Sequence, residues 1–308
     1  MTKMNVVYSS DDNYAQHLGA SISSLLMHNN NVDEVNIFVV DNEISEENKR
    51  RIEEIVSPYA CCSLTWISFE KWKEKLHLNM PWPIALSSYA RLFVGSMLPA
   101  DIERILYLDA DTIICSDLHE LWNAQLEEMV LGAVQDCVGD RVKVVIGMEC
   151  NEKYINAGVM LIDLKKWRRL NVEQRCLDFI AEKQGEVIHH DQGVLNGVLR
   201  KQIKILPLVN NVMTIHYVFS LRKIRKYFGD NSEFYDEREI KEAKSNPVIL
   251  HFTPSFTSHP WEKGCCHPYA TLYWKALENT PWANAELQKR GAKWYVNLYE
   301  WRYRTLPF

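Results

Sequence analysis

Two aspartates, Asp109 and Asp111, flank Ala110 directly after the apolar run Ile-Leu-Tyr-Leu at 105–108. Hard carboxylate oxygens at that spacing suit one divalent cation completed by substrate phosphates and water, the usual arrangement for Mg²⁺ or Mn²⁺ acting on a diphosphate. Strand side chains alternate with period two, so both carboxylates project to one side if extended backbone continues through Ala110. The same pair also fits a solvated turn, and alone it is a weak signal. A further carboxylate, Asp136, ends the run MVLGAVQD at 129–136, and an imidazole, His251, stands near the end of PVILHF. A single histidine at a strand end is commonly a packed core or surface residue.

These groups need a scaffold that gathers strand ends. Short β-branched runs recur at 5–10 (NVVYSS), 35–41 (VNIFVVD), 63–69 (SLTWISF), 104–109 (RILYLD) and 129–136, with helical patterns between them. That alternation predicts an α/β fold with a largely parallel central sheet covered by helices. YAQHLGASISSLLMHN carries apolar residues at helical spacing, and Ser45 ahead of Glu46 and Glu47 reads as a helix cap. In open α/β sheets ligands sit outside the carboxyl ends of the strands, and the runs at 104–109 and 129–136 end there in Asp. VMLIDL at 159–164 reads as a core strand. The composition changes past about residue 250, and the expected division is a catalytic domain at 1–265 and an aromatic, basic helical region at 266–308.

The 308 residues are ample for a sizeable core, and 47% apolar with 24% charged residues is ordinary globular composition. A net charge of −5 gives no general attraction to nucleic acid, so a nucleic-acid partner is not expected. The start, MTKMNVVYSS, has no apolar signal core, and no run approaches the roughly 18 apolar residues of a membrane span. A cytoplasmic location follows as an expectation. The eight cysteines, none spaced C-x-x-C, then read as reduced thiols.

Four blocks, YLDADTIICSDLHELW, INAGVMLIDLKKW, HHDQGVLNGVL and LHFTPSFTSHPW, stand in the order seen in glycosyltransferase family 8. The chain resembles these retaining GT-A enzymes, which include bacterial lipooligosaccharide galactosyltransferases and glycogenin, from about residue 5 to about 275. The resemblance implies a GT-A, Rossmann-like nucleotide-sugar fold and a UDP-sugar donor, UDP-glucose or UDP-galactose. The acceptor it implies is a glycan or glycolipid. It places Ser9, Asp11 and Asn13 near the uracil, and Arg91 of SSYARLFVG on donor sugar and phosphate. An acidic acceptor suits the uracil N3–H, while a polar turn ending the first strand is the plain alternative. For Arg91 that alternative is a structural ion pair with Asp109 or Asp111. Asn156 and Ala157 would lie against the donor sugar, with Gly158 allowing close backbone approach. Asp191 would bind the sugar, and Gln192 would face the anomeric carbon opposite the leaving group. Asp136 resembles an acidic residue of the acceptor side and is the reserve nucleophile. His251 becomes the third metal ligand after Asp109 and Asp111, and an imidazole in the set favours Mn²⁺ over Mg²⁺.

One segment departs from the family pattern, which after this histidine usually shows a Gly and then Lys-Pro-Trp. Here Pro254 stands near the Gly position, and His259 precedes Pro260 and Trp261, in place of a lysine on the donor diphosphate. Past residue 268, Trp294, Leu298 and Trp301 fall on one helical stripe among Lys289, Arg290, Lys293, Arg302 and Arg304. Such a face either packs on a domain or lies on an anionic membrane, which would place the protein peripherally on the inner face of the plasma membrane. Three functions compete: a metal-assisted retaining hexosyltransferase using front-side attack, a non-catalytic nucleotide-sugar binder, and a metal-dependent phosphohydrolase. The INAGV and HHDQ blocks argue against the third, and turnover separates the first two.

Overall fold

The inner β-branched runs become strands covered on both faces, which is why they read as nearly continuous apolar stretches, while the run at 63–69 forms an edge strand with Ser63, Thr65 and Ser68 exposed. A computed structural model describes residues 3–79, 86–229, 234–253 and 257–289 of the protein. In chain order the strands are β1 (Lys3–Asp11), β2 (Glu34–Asn42), β3 (Cys62–Ser68), β4 (Arg104–Leu108), β5 (Thr112–Ile114) and β6 (Leu131–Gln135). They continue with β7 (Ile155–Asp163), β8 (Ile203–Ile205), β9 (Val212–Met213) and β10 (Ile249–His251).

Seven strands form one sheet in the order β3-β2-β1-β4-β7-β6-β8. Neighbours in it run parallel except where β7 runs against β4 and β6. The sheet is therefore mostly parallel, as expected, and it splits the core in two by simple alternation. Met4, Val6 and Tyr8 enter one cluster, beneath helices Ala15–His28 and Glu46–Val56, and Val7 enters the other. Leu106 and Leu108 likewise part from Ile105 and Tyr107. Helix Glu46–Val56 starts as expected, Ser45 Oγ accepting from the Asn48 N–H at 3.3 Å.

The reversal of β7 matters for function. It carries the start of that strand, residues 155–158, to the edge where β4 and β6 end, with Leu108 opposite Val159 and the Asp109 N–H bonded to the Gly158 carbonyl at 2.8 Å. A second sheet, β5-β10-β9, stands at the same edge. Its β5 and β10 run antiparallel with Thr112 opposite His251. That small sheet was not legible in the sequence, where PVILHF read simply as another strand.

Beyond the expected division at residue 265, helix Ala270–Leu277 packs Tyr273, Ala276 and Leu277, with Trp282, into the same core cluster as helix Ala15–His28. The stripe Trp294, Leu298 and Trp301, the basic residues Arg290, Lys293, Arg302 and Arg304, and Pro254 lie outside the described residues. Among the described residues no helix is long and apolar enough to cross a membrane.

Candidate functional site

Asp109 and Asp111 do meet, but not by strand alternation. Strand β4 stops at Leu108, and residues 109–112 form a turn closed by the Thr112 N–H and hydroxyl, both donating to the Asp109 carbonyl at 3.2 and 2.7 Å. The extended path expected through Ala110 is thus corrected to a turn, which Thr112 stabilises through its own side chain. His251 arrives from β10 because the register with β5 sets it beside that turn, and the Phe252 N–H binds the Asp111 carbonyl at 3.0 Å. One ligand atom from each of Asp109, Asp111 and His251 lies within 4.8 Å of the others. His251 Nε2 is 3.1 Å from Asp111 Oδ1 and 3.9 Å from Asp109 Oδ2.

The residues fit a divalent cation. Two carboxylates and an imidazole are a mixed oxygen and nitrogen donor set, and Gly158 leaves the room. A Cβ there would lie 2.2 Å from His251 Cε1 and 2.7 Å from Asp109 Oδ2. Asn211 Oδ1 sits 3.1 Å from His251 Nδ1, which places the proton on Nδ1 and leaves Nε2 as the ligand atom. Asn211 in turn donates to Asn156 Oδ1 at 2.9 Å. Nothing in the loop sequence Pro207–Asn211 singled Asn211 out; only the tertiary pairing of β9 with β10 brings it in.

Charges here are strongly interdependent. Burial works against ionisation of Asp111, yet His251 beside it prevails and holds that carboxyl below its ordinary range. Asp109 is raised, burial outweighing the neighbouring Arg91. Burial also opposes the charge on His251, but Asp111 and Asp109 together raise it, so without metal a proton on the imidazole supplies the cation.

Arg91 is buried behind this corner. Its Nη2 donates to Asp109 Oδ1 at 2.7 Å, its Nε lies 3.0 Å from Asp191 Oδ2, Nη1 reaches the Ala157 carbonyl, and the guanidinium rests 4.7 Å over Tyr107. The ion-pair alternative for Arg91 is therefore realised, with Asp191 as an added partner. That pairing also accounts for Asp191 being nearly inaccessible to solvent.

A second constellation adjoins the first. Gln192 Nε2 donates to Asp136 Oδ2 at 3.0 Å, and its Oε1 accepts from Asn156 Nδ2 at 3.2 Å and from the Ala157 N–H at 3.0 Å. Asn156 Nδ2 also reaches Asp136 Oδ2, at 3.2 Å, and the Cys137 N–H binds the other Asp136 oxygen at 2.7 Å. The backbone Ala157 N–H can only donate, so it fixes which end of the Gln192 amide is oxygen.

The remaining candidates flank these groups. Ser9 is buried and donates to the Ser87 carbonyl at 2.7 Å, while Asp11 caps the turn that follows β1 by accepting from the N–H groups of Asn13 and Tyr14. His259 stacks on Trp261 at 4.5 Å, and Trp261 also stacks on His17 at 3.8 Å. His259 adds to the influences that hold Asp111 low. Glu262 Oε2 accepts from the His259 N–H at 2.7 Å. Tyr14, which the sequence did not point to, packs edge-on to His17, and Asp111, Asp11 and Asp109 add to the burial that raises its hydroxyl pKa.

A mostly parallel nucleotide-sugar sheet with an acid and imidazole corner at its carboxyl edge defines a glycosyltransferase of GT-A type, and the comparisons agree. The model of glycosyl transferase family 8 matches residues 5–265, and the chain belongs to that family. General stress protein A of Bacillus subtilis (strain 168) is 28% identical over 286 residues, covering 91% of this chain and 94% of that protein. The lipopolysaccharide 1,2-glucosyltransferase of Escherichia coli (strain K12) is 27% identical over 317 residues, covering 98% and 85%. Among solved structures, galactosyltransferase LgtC in complex with donor and acceptor sugar analogues superposes with a TM-score of 0.73 at 25% identity, over 90% of this chain and 96% of that one.

Proposed function

We propose that the protein transfers a hexose from UDP-glucose or UDP-galactose to a glycan or glycolipid acceptor with retention of anomeric configuration. Mn²⁺ is the favoured ion and Mg²⁺ the alternative. The observation that carries this reading is the convergence of the Asp109, Asp111 and His251 ligand atoms within 4.8 Å of one another at the carboxyl edge of the sheet. Relatives named as a glucosyltransferase and a galactosyltransferase support a hexose.

A divalent ion at that corner offsets the negative charge that develops on a departing diphosphate. Asp109, Asp111 and His251 would hold it, with Asn211 holding the Nδ1 proton so that Nε2 is the nitrogen that would meet the ion. Arg91 braces Asp109 and Asp191 together, so the metal corner and the sugar side cannot shift independently. Asn156, Ala157 and Asp191 line the donor sugar. Ser9, Asp11 and Asn13 serve the uracil, and His259 serves the diphosphate.

Gln192 is a neutral amide whose oxygen already accepts two hydrogen bonds, which disfavours it as a nucleophile. Front-side attack follows: the acceptor hydroxyl enters on the face the diphosphate leaves and passes its proton to a leaving phosphate oxygen. Asp136 is the carboxylate for a covalent route, but the amides of Asn156 and Gln192 and the Cys137 N–H engage its oxygens and blunt their nucleophilicity.

The test is UDP release from both donors, with and without Mn²⁺, in wild type and Asp111→Asn. Metal-dependent release that disappears in the variant supports the reading. Absence of both turnover and thermal protection by either donor sinks it.

A further inference from the structure

Large apolar side chains left in water mark surfaces that meet something else when they cluster. Among the described residues the most exposed are Val144 at 59%, Tyr227 at 56% and Val145 at 49%. The valines sit on helix Asp140–Val145, four residues past Asp136, and the tyrosine on helix Leu221–Phe228. The two segments adjoin, since a Cβ on Gly229 would lie 3.8 Å from Asp140 Oδ2.

Helix Leu221–Phe228, sequence LRKIRKYF, carries Arg222, Lys223, Arg225 and Lys226 and no carboxylate, in a chain whose net charge is −5. Leu221 and Ile224 are buried and anchor it, which turns Arg222, Arg225, Lys226 and Tyr227 outward. Lys226 Nζ lies 5.8 Å over the Tyr227 ring, and exposed Arg141 adds a cation on the valine helix.

We infer that this face rests on an anionic phospholipid surface. Apolar tips beside Arg141, Arg222, Arg225 and Lys226, which outnumber the carboxylate of Asp140 between the two helices, match the boundary between acyl chains and phosphate headgroups, and tyrosine is at home there. A second copy of the chain is a poorer occupant, because two-fold pairing would set this basic helix against itself. Seated so, the Asp136 side of the site lies next to the bilayer, where an acceptor carried on a lipid would arrive. The docking itself stands apart from the hexosyl-transfer reading.

The experiment is co-sedimentation of the full chain with phosphatidylcholine vesicles containing or lacking phosphatidylglycerol. It compares wild type, Arg141→Gln/Arg222→Gln/Lys226→Gln and Val144→Ser/Val145→Ser, with UDP release and a melting curve on each. Wild type is expected to bind only the anionic vesicles. The triple variant should bind about a hundredfold more weakly, from roughly fivefold per basic residue at an anionic surface. The serine pair should bind several-fold more weakly with its charge intact, and melting temperature and UDP release should stay at wild-type levels in both. A wild type that leaves anionic vesicles unbound overturns the proposal, as does a triple variant that binds like wild type. Self-association lost in the triple variant assigns the face to a copy of the chain and also overturns it. A wild type that binds anionic vesicles yet releases no UDP from either donor would count against the transferase reading alone.

Discussion

The metal corner and the amide bracket lie side by side and are built on opposite principles. Asp109, Asp111, His251 and Arg91 are held by ion pairs whose charges depend on one another. Asp136, Asn156 and Gln192 are held by hydrogen bonds among two neutral amides, one carboxylate and the backbone. The first kind of site changes character when a proton is exchanged for a metal; the second keeps its shape whatever the charge state beside it. Residue 158 joins them, since its neighbours 156 and 157 serve the bracket while its missing side chain makes room for His251 and Asp109.

Changes at the two sites should therefore separate. The largest effect is expected from Gly158→Ala, whose methyl would overlap His251 and Asp109. Metal-induced thermal stabilisation should vanish, with about 1–3 kcal/mol of overpacking besides; an intact metal shift by scanning fluorimetry would break the comparison. Gln192→Ala should lower turnover about a hundredfold and leave Mn²⁺ affinity unchanged, which titration calorimetry beside kinetics can check. Asn211→Ala, a change one bond removed from the corner, should weaken metal binding by about 10–100-fold. Turnover at saturating metal should fall much less, and equal losses in both would show that the two sites are not separable.

The smallest effect concerns pH in the metal-free protein. Burial lowers His17 to about 3, His216 to about 4 and His267 to about 3. Unfolded, each binds a proton near its ordinary 6.5, so stability falls as pH drops below 6.5, by on the order of 1 kcal/mol per pH unit for each. His251 has the opposite sign: its raised pKa adds stability that is complete below 6.5 and is lost only as pH rises through the raised value. The melting temperature should therefore decline from pH 6.5 to 5, and less steeply in His267→Phe. A flat profile would contradict the buried neutral state of these rings.

Much of the metal corner was legible because its residue types are local and unusual: two carboxylates one residue apart after an apolar run. The inner strands were legible because burial on both faces leaves them rich in apolar residues, and β3 because Ser63, Thr65 and Ser68 alternate with half-buried apolar ones. What stayed hidden depends on distant pairing. The antiparallel course of β7 leaves no mark in its composition, since INAGVMLID would look alike in either direction. Asn211 and Tyr14 carry no local signal, and their places follow from β9 beside β10 and from the turn after β1. The turn at Asp109–Thr112 was misread as extended because Thr112, which closes it with its hydroxyl, is also a favourable strand residue.

The three-residue pairing of β10 with β5 ties the completeness of the corner to the order in which the chain is made. Asp109 and Asp111 leave the ribosome about 140 residues before His251, so a nascent or truncated chain can balance Asp109 with Arg91 but has no imidazole beside Asp111. Only the correct register of the last of these strands sets His251 beside Asp111, and a slip of one residue would turn the imidazole to the other face. The ability to bind a divalent ion would thus tell finished molecules from those that stopped short or paired out of step.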